Sequence, residues 1–119
     1  MAYLKLILTI VFGGFMIFAG IMHFVNPDIY MAFIPDFLPE KLINILAGIA
    51  EIAAGAAACI PRFRKWGTLA ILVMMVAFLP LHIWDVFKEV PAVGTHEAAL
   101  IRLPIQFVLI LWAWYIYKK

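Results

Sequence analysis

The sequence predicts an all-α fold: an integral membrane up-down-up-down four-helix bundle, with an apolar, partly helical outer loop between the first and second helices. Three observations carry this expectation. The 119 residues are 67% hydrophobic and only 13% charged, far too little polar surface for a soluble domain of this size. Four separate apolar segments each run to about 20 residues, the length that crosses a ~30 Å hydrocarbon core at 1.5 Å per residue. The connections between them are short, which favours antiparallel neighbours. Residues 1–119 read as one domain.

The first segment runs over Leu4–Phe24. Lys5 followed by an apolar run resembles a signal peptide, but the run continues to Met22. That exceeds the ~7–15 residues of an h-region, so a retained helix is expected. The loop that follows, NPDIYMAFIPDFLPE, opens on the turn signal Asn26-Pro27-Asp28. Ile29–Ile34 suits a short interfacial helix, and Pro39 suits the first turn of the next helix. The second segment is Lys41–Ile60, the third Trp66–Phe87 and the fourth Ala98–Tyr117. With no water in the bilayer core, each spanning segment must be a helix.

Basic residues predict the orientation. Lys5, Arg62, Arg64, Lys65, Lys118 and Lys119 fall at one side; Lys41, Lys88 and Arg102 fall at the other, among most of the acidic residues. The positive-inside rule then puts both termini and the PRFRKW turn in the cytoplasm, with the chain in a bacterial-type inner (plasma) membrane. The net charge of +2, without a run of Lys and Arg, argues against a nucleic-acid partner. The single cysteine, Cys59, excludes a dithiol mechanism within the chain.

The most informative residue is Glu51, in the middle of the second segment. A carboxylate at that depth costs about 2.5–3.5 kcal/mol on translocon-type scales, so something must bond, neutralise or use it. The other polar residues of the spans lie in the same outer half: His23 in the first, His82 and Asp85 in the third, Arg102 and Gln106 in the fourth. His82 and Asp85 are three apart and Arg102 and Gln106 four apart, so each pair shares a helix face. Glu51 shares a stripe with Asn44, Gly48 and Gly55, while Gly13, Gly20 and His23 line one side of the first helix. Small residues permit close helix approach in lipid and leave a homodimer open as well. Pro80 and Pro104 each free a carbonyl beside the polar residues. The expected arrangement is one polar pocket built from His23, Glu51, His82, Asp85, Arg102 and Gln106. Its simplest pairing is Glu51 with Arg102, since Arg has the reach and keeps its charge. A buried pair that fixes helix register and a carboxylate that handles a proton or ligand are both compatible with that spacing. Two histidines without closely spaced partners are a weak metal or haem signal, and no metal site is expected.

The run GIMHFVNPDIYMAFIPDFLP, then GIAEIAAGAA, the PRFRKWG turn and RLPIQFVLILW resemble the DoxX-like family of small four-helix membrane proteins over nearly the whole chain. The resemblance implies a compact bundle in the inner membrane. Some members of that family are linked to thiosulfate oxidation or quinone-coupled redox systems, and distant animal members are assembly chaperones for channels. No catalytic residue set transfers to this chain. The expected function is a non-catalytic accessory subunit, or an assembly or chaperone-type partner of another membrane protein. The alternative is a redox subunit that binds quinone or another lipophilic ligand, and the only cofactor expected is such a quinone or lipid. A small transporter fits least, because four short helices leave little room for alternating access.

Overall fold

The computed structural model describes residues 2–118. The described residues are helical, in the order α1 (Ala2–Val25), α2 (Asp28–Met31), α3 (Glu40–Cys59), α4 (Arg64–Val86) and α5 (His96–Tyr117). The four long helices are each long and apolar enough to cross a membrane. The longest dimension, 44 Å, matches a bilayer with its headgroup layers, about 40–45 Å.

Helix starts follow local chemistry. Thr95 caps α5, its hydroxyl accepting from the Ala98 amide at 3.1 Å, which satisfies one of the orphan donors of a first turn. α5 therefore begins two residues earlier than the expected Ala98. α4 likewise begins at Arg64 rather than Trp66, because the Arg64 guanidinium folds back onto the Ala58 and Cys59 carbonyls at 2.9 and 3.1 Å. Those carbonyls are the unsatisfied end of α3. Pro39 is the N-cap of α3 rather than a residue of its first turn. The expected helix in the outer loop is present but is a single turn, Asp28–Met31.

Consecutive long helices pack on one another, α1 on α3, α3 on α4 and α4 on α5, and α5 returns more loosely to α1. Two glycine pairs set the α1–α3 crossing. A Cβ on Gly20 would stand 2.7 Å from the Gly48 carbonyl oxygen, and one on Gly13 would stand 2.8 Å from that of Gly55. Only glycine lets two backbones approach this closely. These contacts lie within the chain, so they remove the glycine faces as an argument for a homodimer.

The apolar core sits in the half of the bundle where α1 begins and α5 ends: Phe12, Met16, Ala58, Ile71 and Ala113 are almost wholly buried. The same end holds the Lys5 ammonium against the Lys118 carbonyl. A small cleft there is lined by Lys5, Thr9, Arg64 and Ile116. Lys119, also expected at that side, lies outside the described residues. Around the bundle the large apolar side chains point outward; Phe18, Ile49, Val73 and Val108, one from each long helix, are all exposed.

Candidate binding pocket

Most of the polar residues expected in the pocket gather in the opposite half of the bundle, and the glycine crossing places three of the residues that meet there. His23 follows Gly20 by three residues, Asn44 precedes Gly48 by four, and Glu51 follows Gly48 by three. All three therefore lie on the faces that meet where the two backbones are closest. His23 Nδ1 is 2.6 Å from Asn44 Oδ1, and Asn44 Nδ2 donates to the His23 carbonyl oxygen at 2.8 Å. His23 Nε2 is 3.0 Å from Glu51 Oε2. His23, Asn44 and Glu51 are each at most 5% exposed. The Tyr30 ring of α2 stacks on the imidazole, with centroids 3.7 Å apart and planes at 16°. Tyr30 also donates to the Ala19 carbonyl at 3.3 Å. Burial, and then the nearby Glu51, hold the Tyr30 phenol above its usual pKa of 10.0.

These contacts fix the tautomer. The His23 carbonyl can only accept, so the Asn44 amide turns its NH₂ toward it and its oxygen toward the ring. Nδ1 is therefore the protonated nitrogen. Nε2 is then the nitrogen that faces Glu51. The contact has hydrogen-bond length but is not aligned with the ring N–H direction, so Oε2 is left without a well-directed donor.

The expected pairing of Glu51 with Arg102 is not made. Among the described residues Glu51's ionic partner is His23. Arg102 Nη2 instead donates to Gln106 Oε1 at 3.0 Å, and Gln106 Nε2 donates to the Met75 carbonyl at 2.6 Å. Gln106 thus carries Arg102's contact across to α4, one residue before Val76, whose carbonyl Pro80 cannot engage. The other terminal nitrogen, Arg102 Nη1, is buried with no partner.

His23, Asn44, Glu51, His82, Arg102 and Gln106 line one cavity of about 350 Å³. The rest of its wall is largely apolar and aromatic, including Phe15, Phe33, Phe78 and Leu109. That volume lies at the lower end of the range for small-molecule sites, and a mainly apolar wall with a few converging polar groups is their usual make-up. The cavity reaches the bundle surface beside α1. α5 contacts α1 through Trp112, whose ring meets Phe12 at 4.8 Å and whose N–H donates to the Leu8 carbonyl at 3.3 Å. One turn farther out, Phe15 both lines the cavity and is 51% exposed.

Asp85 is not in this pocket. Its carboxylate accepts from the Ala92 amide at 2.5 Å and the Val93 amide at 3.4 Å, with Lys88 Nζ 3.7 Å away. Lys88 in turn donates to the Ala32 carbonyl at 2.6 Å and lies 4.0 Å above the Trp84 ring. Asp85 holds residues 87–95 and, through Lys88, the outer loop over the cavity. His82 does face the cavity, edge-on to Phe33 at 5.2 Å. Sequence reasoning left Asn44 and Tyr30 out of the pocket. The signal for Asn44 was its place on the Gly48–Glu51 stripe; nothing local marked Tyr30. Among the described residues no three His, Cys, Asp or Glu side chains stand close enough to hold a metal.

A family model described as a domain of unknown function, DUF8561, matches residues 12–117. The chain belongs to the DUF8561 family. The matched range contains every residue of the pocket. No curated protein and no solved structure matches the chain.

Proposed function

We propose that this DUF8561 protein is an integral inner-membrane protein that binds a lipophilic ligand in the outer half of its helix bundle. The polar head of the ligand lies between Glu51 and Arg102. One observation carries the reading: a buried carboxylate oxygen and a buried guanidinium nitrogen, both without a directed partner, belong to side chains lining the same largely apolar cavity. Native proteins rarely leave such groups unsatisfied, and at membrane depth the cost is higher. A ligand that bonds both relieves it. The half-exposed Phe15 marks an entrance from the bilayer between α1 and α5, the route open to a membrane-dissolved molecule.

The orientation follows from the basic end, where Lys5, Arg64 and Lys118 cluster, together with Arg62 and Lys65 in the adjoining turn. By the positive-inside rule both termini are cytoplasmic. The proposed kinship with the DoxX-like family rests on the four quoted runs, which contain His23, Glu51, Arg102 and Gln106. The second reading, an accessory or assembly partner of a larger membrane protein, is favoured by the connections between the long helices, the longest being residues 26–39 with the single turn α2. They leave no extramembrane domain among the described residues.

The test is extraction of the protein purified in a mild detergent, with bound lipophiles measured by mass spectrometry. Ala47 lines the cavity, so Ala47→Phe fills it. A stoichiometric lipophile present in the wild type and lost in A47F, at unchanged helicity, supports the pocket. A wild type with no bound lipophile, and none taken up on addition, refutes it. Co-purification of one membrane protein with wild type and A47F alike would favour the accessory role.

A further inference from the structure

Charge decides what kind of head the pocket takes. The charged groups around it pair in two sets. Glu51 lies against His23, Oε2 to Nε2 at 3.0 Å. Asp85 lies against Lys88. Arg102 is left over: among the described residues no carboxylate lies within 4.0 Å of it. Gln106, which takes one of its nitrogens, is neutral. A guanidinium keeps its proton in almost any setting, so the cavity holds a positive charge with no carboxylate against it. Arg102 is partly buried, and a cation without a counter-charge in a low-dielectric setting is unfavourable; Nη1 is the buried atom left bare.

Building on the pocket reading, we infer that the ligand is an anionic amphiphile, its oxyanion head on Arg102 Nη1 and its apolar chain among Phe15, Phe78 and Leu109. The chemistry is a carboxylate or phosphate oxygen accepting from a guanidinium, the pairing for which Arg is best suited. The size points to one chain. A cavity of about 350 Å³ holds a head and part of a single acyl chain, with the remainder leaving past Phe15 into the bilayer. Glu51 is held against His23 and away from Arg102, which leaves Nη1 to the head. A neutral quinone would leave the charge of Arg102 unbalanced.

The experiment is competition for the cavity of the full chain in a neutral detergent, with palmitate, lysophosphatidic acid, hexadecanol and decylubiquinone as probes. Palmitate and hexadecanol share a chain and differ in head charge. The expected result is that at least one of the two anions binds at a 1:1 ratio and about tenfold or more tighter than hexadecanol. Arg102→Gln should abolish that preference while hexadecanol binding changes little. Palmitate ahead of the lysophospholipid identifies a free fatty acid as the source of the head, and the reverse order a lipid phosphate. Hexadecanol or decylubiquinone binding as tightly as the anions, with R102Q indifferent, overturns the anionic head and leaves the pocket standing. Binding of none of the four overturns the inference and the pocket with it. If R102Q does not fold, Arg102→Lys serves: it keeps the charge and loses the fork, and must retain the preference for an anion over hexadecanol.

Discussion

The contact between His23 and Glu51 has a measurable consequence: removing the histidine nitrogens should cost far more than replacing the glutamate by its amide. His23→Phe keeps a flat ring to stack on Tyr30, now at 3.7 Å, and deletes both nitrogens. Asn44 Oδ1 then loses the donor at 2.6 Å and Glu51 Oε2 its neighbour at 3.0 Å, both at positions no more than 5% exposed. Breaking a buried charged pair on one side costs about 3–5 kcal/mol. Glu51→Gln differs: with Nδ1 holding the ring proton, neutral His23 presents a lone pair at Nε2, and the glutamine amide can donate to it. The loss is then about 1 kcal/mol, the scale of one exchanged neutral hydrogen bond. The assay is equilibrium unfolding in mixed micelles by added SDS, with the double variant closing a thermodynamic cycle. Contacting residues couple by about 0.5–3 kcal/mol, so His23–Glu51 should show coupling in that range. Glu51–Arg102 should couple more weakly. Equal losses in H23F and E51Q, or a stronger Glu51–Arg102 coupling, would refute the pairing of Glu51 with His23.

Three further outcomes follow from the same contacts. Gly48→Ala places a methyl group 2.9 Å from His23 Cβ and 3.1 Å from the Gly20 carbonyl oxygen. The crossing must widen at an expected cost of about 1–3 kcal/mol, read by the same SDS titration. Asp85→Asn weakens the bonds to the Ala92 and Val93 amides, each worth about 1.5–3 kcal/mol to a charged acceptor. Hydrogen exchange at those two amides should speed up while the inner halves of α1 and α5 stay protected. The raised pKa of the Tyr30 phenol means that the folded state favours the protonated ring. The stability from this residue is full below the ordinary pKa of 10.0 and is lost as pH rises through the folded value. An alkaline unfolding series should therefore fall less steeply for Tyr30→Phe than for wild type.

Much of the bundle was legible in the sequence because membrane-length helices announce themselves by composition: Ala2–Val25 and Glu40–Cys59 lie within two residues of the expected ends. The Arg102–Gln106 contact was legible too, since a four-residue spacing on one helix fixes a shared face. The partner of Glu51 was not, because charge alone favoured Arg102, whereas helix proximity decides which side chains touch. The glycines carried that information. Gly20 and Gly48 bring α1 onto α3 beside His23, Asn44 and Glu51, and reading polar residues relative to small ones would have found the pair. Asp85 misled for the same kind of reason. A three-residue spacing put it on the face of His82, but it lies at the helix end, where free amides of the next loop compete for it. Tyr30 comes from a single turn whose placement depends on tertiary packing.

The central claim is that the outer-half cavity is a ligand site organised by Glu51 and Arg102. The most direct measurement is an experimental density map of the protein taken from its native membrane without delipidation. The account predicts elongated non-protein density in the cavity lined by Phe15 and Phe78, with a head oxygen about 3 Å from Arg102 Nη1. A cavity closed by direct contact of Arg102 with Glu51, with no density between the helices, would contradict it.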